Sequence, residues 1–128
     1  MGWIGIDLDG TLAEYAHGQM AQHGVGFIGR PVPAMLERVR GWLEQGKDVK
    51  IMTARASIAS EVEAIELWCL KHVGRKLPVT DKKDFAMIEL WDDRAIQVGF
   101  NTGIPMSPKP REWEEDVSSP YHGLTNKP

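Results

Sequence analysis

Apolar residues along the chain follow two alternating periods. Trp3 to Leu8 is a short apolar run closed by Asp9-Gly10-Thr11, the pattern of a buried strand bounded by turn chemistry. Val49 to Thr53, Leu77 to Thr80 and Ala86 to Trp91 read as three further strands, with the charged turn Asp81-Lys82-Lys83-Asp84 between the last two. Elsewhere the period is helical. Pro31 and Pro33 introduce a segment whose Met35, Leu36, Val39, Trp42 and Leu43 share one face, and Gly46 stops it. Val62, Ile65, Cys69 and Val73 form the stripe of a second helix, opened by Ser60 and Glu63 at capping-box spacing and ending near Gly74. Residues 13–30 carry glycines but no sustained period, and are expected to form a short loop or hairpin insert. Five of the eight prolines lie past Gly103, which sets 105–128 apart as a tail from a core of 1–104.

Strands alternating with helices imply parallel pairing through right-handed crossovers. The expected fold is α/β, a three-layer α/β/α sandwich on a mostly parallel, Rossmann-like sheet. Ligands bind such sheets beyond the carboxyl ends of the strands. Here every strand end is polar: Asp7 and Asp9, then Thr53 and Arg55, then Lys82 and Lys83, then Asp92 and Asp93. Taken singly, each has a plainer reading as a turn former, a helix cap or a solvated lysine. Gathered at one edge, the carboxylates would repel one another unless a proton or cation sat among them. Oxygen-only donors suit a hard cation such as Mg²⁺. Thr53 and a lysine suit phosphate oxygens. These are the components of phosphoryl transfer.

Composition narrows the classes. A chain of 128 residues, 42% hydrophobic and 26% charged, fits one globular domain. A net charge of −3 argues against stable binding of duplex DNA, which needs a cationic face. The single cysteine, Cys69, forms no internal disulfide and suits a reducing cytoplasm. It reads as a buried thiol in preference to a zinc ligand with His72, because His17, His23 and His122 fall in loops. With no membrane span or leader pattern in the sequence, the expected location is cytoplasmic. Trp42 and Trp68 read as core residues, and Trp91 as the aromatic that could meet substrate.

Asp7-Leu8-Asp9-Gly10-Thr11-Leu12 resembles the first motif of the haloacid dehalogenase (HAD) superfamily of phosphohydrolases. Ile51-Met52-Thr53, then Lys82 or Lys83, then Leu90-Trp91-Asp92-Asp93 follow in the order of the superfamily's remaining motifs. The resemblance implies a HAD-like sheet without a large cap domain, and a Mg²⁺-dependent phosphomonoester hydrolase acting through an aspartyl-phosphate. In it Asp7 is the nucleophile and Asp9 the general acid and base. Thr53 and Lys83 hold the phosphate, Lys83 being preferred to Lys82 because Asp84-Phe85 looks like the lead into the last strand. Asp7, Asp92, Asp93 and the backbone carbonyl of Asp9 surround the metal.

Two spacings depart from the larger members. The stretch from Lys83 to Asp92 is too short for a helix, so the lysine must arrive on a loop. The insert at 13–30 is too short for a large cap, so the site should be open to a nucleotide, a nucleic-acid end or a phosphoprotein. Asp92-Asp93-Arg94 also resembles the phosphatase part of phage polynucleotide kinases and small phage and bacterial relatives. Arg55 and Arg94 could reach substrate or pair with Asp92, Asp93 or Glu14. Dehalogenases do not need the second aspartate, and receiver domains carry their acidic residues in another order. An inert HAD-like binding or signalling module is the alternative reading.

Overall fold

Four parallel strands form the centre of the chain, whose computed structural model describes residues 2–110. They are β1 (Trp3–Ile6), β2 (Asp48–Met52), β3 (Val79–Thr80) and β4 (Met87–Trp91), ordered β3-β2-β1-β4 with every neighbouring pair parallel. Around them stand α1 (Gln19–His23), α2 (Pro33–Glu44), a 3-10 turn at Ala54–Ser57 and α3 (Ala59–His72). The α/β class expected from the sequence is the class observed.

The path from β1 to β2 to β3 steps in one direction, so right-handed crossovers place α2 and α3 on the same face of the sheet. That face carries Ile4, Ile6, Val49 and Ile51, which form one core with Val39 and Trp42 of α2 and Ile65, Trp68 and Cys69 of α3. The opposite face carries Trp3, Lys50 and Leu90. Trp3 is buried there beneath Lys50, whose Nζ lies 4.6 Å from the ring centroid, and its indole N–H donates to Asp84 at 2.9 Å. The register of β1 on β4 shifts after Trp3, leaving Ile88 as an extra residue in the edge strand.

Two expectations need correction. First, Ser60 does not cap α3. The N-cap is Ile58, without a side-chain bond, and Ser60 lies inside the first turn. The cap sits earlier, at Thr53, whose hydroxyl accepts the Arg55 N–H at 3.2 Å and opens the 3-10 turn that feeds α3. Second, the insert at 13–30 contains the short helix α1, which no apolar period announces. It is fixed by tertiary bonds. Glu14 N–H donates to the Arg30 carbonyl at 2.8 Å, Ala13 pairs with Pro31, and the buried Trp68 donates its indole N–H to Gly29 at 3.0 Å. Past β4, residues on both sides of position 104 pair with one another. Val98 pairs with Pro105, and Gly99 N–H donates to Ile104 at 2.8 Å. The rest of the expected tail, 111–128, lies outside the described residues. Among the described residues no helix is long and apolar enough to cross a membrane.

Candidate functional site

β1 ends at Ile6, but its pairing continues one residue further, where Asp7 N–H donates to the Trp91 carbonyl at 2.9 Å. This bond sets Asp7 beside Asp92 at the carboxyl edge of the sheet. The chain then folds back on itself. The N–H groups of Thr11, Leu12 and Ala13 converge on the Leu8 carbonyl at 3.2, 3.0 and 2.8 Å. Gly10 makes the reversal at a φ of 87°, a left-handed conformation in which a side chain would be strained. The turn brings the Thr11 hydroxyl to 3.3 Å from Asp7 Oδ2 and 3.0 Å from Asp93 Oδ1, and the same oxygen accepts the Asp93 N–H at 3.2 Å. With one proton to give, Thr11 bonds one carboxylate at a time and clamps β1 to the end of β4.

Carboxylate oxygens of Asp7, Asp92 and Asp93 lie within 4.8 Å of one another, all three side chains partly buried. Burial pushes the Asp7 carboxyl up from 3.8 to about 8, reinforced by the charge of Asp92, the hydrogen bond and charge of Asp93, and the charge of Asp9. Three oxygen donors crowded to this degree fit a hard divalent cation, which would replace the proton on Asp7 and offset the repulsion.

The Asp9 side chain stands apart from this triad. Arg55 grips both of its oxygens, Nη2 to Oδ1 at 2.8 Å and Nε to Oδ2 at 2.9 Å. Its carboxylate is therefore oriented by a fork-like pair with Arg55 and does not join the three that converge. A cavity of about 370 Å³ opens above these groups. Asp7, Asp9, Asp81 and Asp92 form its acidic wall, and Thr53, Arg55 and Arg94 bring donors.

The structure does not bring Lys82 or Lys83 into the cavity wall. The Thr80 hydroxyl accepts the Lys82 N–H at 3.1 Å, and this tight turn presents Asp81 to the cavity while both lysines stay exposed. The cations that line the wall are Arg55 and Arg94. Trp91 is likewise not part of it. Its ring meets Trp42 edge-on at 5.2 Å, lies under Arg38 at 4.9 Å and donates to Glu89 at 3.0 Å, all on the α2 side of the sheet. Glu14 pairs with Arg30 at 2.9 Å, so the partners of Arg55 are Asp9 and the fully buried Glu61. Glu61 was not singled out in the sequence. The signal was there, because Glu61 stands one turn before Ile65 on the buried stripe of α3, a charge where the period calls for an apolar residue.

A scan against protein-family models matched none, and neither the curated proteins nor the solved structures gave a match to this chain.

Proposed function

We propose that the protein is a Mg²⁺-dependent phosphomonoester hydrolase with an open site. The observation that carries this reading is the meeting of Asp7 with Asp92 and Asp93, three carboxylates from the ends of two adjacent strands within 4.8 Å. The finer fold reading that accompanies it is a HAD-like sheet, of which the parallel order β3-β2-β1-β4 is the coarse part. The third layer expected from the sequence would need a helix on the face opposite α2 and α3, where the described residues place none.

In this mechanism the Asp7 carboxylate attacks phosphorus, an aspartyl-phosphate forms, and the ester oxygen leaves with a proton from Asp9. Asp9 then takes a proton from water, which attacks the phosphoryl group and returns Asp7. Thr53 and Arg94 line the cavity where the phosphoryl oxygens would lie, and Lys83 would reach them only from the exposed turn two residues past Asp81. Asp7, Asp92, Asp93 and the Asp9 carbonyl would hold Mg²⁺, which supplies the charge that lets an anionic nucleophile meet an anionic ester. A wall open to solvent suits a large leaving group, so a nucleotide or a nucleic-acid phosphate end is the substrate class to test first.

The decisive experiment is hydrolysis of p-nitrophenyl phosphate by the purified chain with Mg²⁺, with chelator, and with Asp7→Asn. Turnover is expected only for the wild type with Mg²⁺. Turnover by Asp7→Asn equal to wild type would remove the nucleophile assignment, and inactivity of the wild type on every phosphomonoester tried would remove the function.

A further inference from the structure

Three groups converge on one buried guanidinium through four hydrogen bonds. The Arg55 side chain is 7% exposed. It spends Nε and Nη2 on Asp9 and shares Nη1 between Glu61 Oε1 at 3.1 Å and the Phe27 carbonyl at 2.9 Å. Glu61 is fully buried, and its second oxygen has no partner among the described residues. Ionised side chains are rarely placed at such depth, because taking them out of water is costly unless geometry and hydrogen bonds offset it. A plain core would put an apolar residue at position 61.

We infer that Arg55, held in place by Glu61, is a positioning residue that fixes the orientation of the Asp9 carboxylate and ties it to the insert at Phe27. This rests on the phosphatase reading. Asp9 sits on a loop with two rotatable side-chain bonds, and a single hydrogen bond would leave its plane free to turn. The Nε/Nη2 fork fixes that plane, and each oxygen keeps a lone pair with which to exchange a proton with a leaving group or a water. Arg55 is a long side chain that needs fixing in its turn. The buried Glu61 supplies a counter-charge from the first turn of α3, and the Phe27 carbonyl supplies a stop from the insert.

The test uses two esters, because protonation of the leaving oxygen matters most when that oxygen is a poor leaving group. Glu61→Gln keeps the shape and removes the charge. On an alkyl phosphate its kcat should fall on the order of 10²-fold with KM unchanged, since small misplacements of a catalytic group carry losses of this size. On p-nitrophenyl phosphate the loss should be much smaller. Arg55→Lys keeps a charge but loses the fork, and should show the same split between esters; it carries the test if Glu61→Gln does not fold. Equal losses on both esters, or none, in an active protein would overturn the positioning role while leaving the phosphatase reading intact. A wild type that hydrolyses neither ester would overturn both. A readout independent of turnover is the Nε–H resonance of Arg55 by NMR, slowed in exchange by its bond to Asp9. It should be protected in the wild type and lost in Glu61→Gln, and its persistence there would overturn the role of Glu61.

Discussion

Replacing Asp7, the proposed nucleophile, should make the metal-free protein more stable. Asp7 is held at about 8 by burial and by Asp92, Asp93 and Asp9, against an ordinary 3.8. A carboxyl raised in the folded state folds best when protonated. Its favourable contribution is complete below the unfolded value and drains away as pH rises through about 8. At pH 7 the interval above the ordinary value is 7 − 3.8 = 3.2. At about 1.4 kcal/mol per pH unit this sets a ceiling of about 4 kcal/mol. Asp7 keeps some contact with solvent, and screening by water and salt brings the expected gain of Asp7→Asn to about 2 kcal/mol. For a chain of this length that is a rise in Tm of about 8 °C.

The assay is thermal unfolding of both proteins in chelator between pH 4 and pH 8. The variant should melt above the wild type at the alkaline end, and the gap should close toward pH 4. Added Mg²⁺ should raise the wild-type Tm through selective binding to the folded state and leave the variant nearly unchanged. A variant that melts below the wild type in chelator at pH 8, or a gap independent of pH, would refute the reasoning.

Three further outcomes follow from single contacts. Asp9→Asn should slow turnover on the order of 10²–10⁴-fold in steady-state assays, and a rate equal to wild type would move the acid–base role to another group. Gly29→Ala should lower stability by about 2 kcal/mol in urea unfolding, because the new Cβ would fall against the backbone carbonyl of Glu14; an unchanged midpoint would show that the insert gives way. Cys69, whose thiol burial pushes up to about 11, should resist an aromatic disulfide reagent until denaturant is added, and rapid modification of the native protein would contradict its placement in the core.

The sequence by itself determined the strands, the two long helices and the order of the polar strand ends. Apolar runs such as Trp3 to Leu8 and stripes such as Ile65 and Cys69 have one economical burial each, and parallel pairing then brings Asp7 and Asp92 to one edge whatever the loops do. Local chemistry was less reliable. Ser60 and Glu63 have the spacing of a cap, yet a preceding 3-10 turn makes that cap redundant, and no period marks α1 because packing on Gly29 and Arg30 holds the insert.

Only the tertiary structure decided what each charge does. The sequence offered two lysines for the phosphate, but a turn closed by Thr80 leaves both exposed and sets Asp81 at the cavity, which Arg94 reaches from beyond the end of β4. It offered Arg55 substrate, Asp92, Asp93 or Glu14 as partners, whereas its guanidinium binds Asp9, Phe27 and Glu61 from three separate segments. Periodicity reports which face of an element is apolar, and that survives without knowledge of the neighbours. The role of a charge depends on distance and on exclusion of water, and neither exists until the elements have packed.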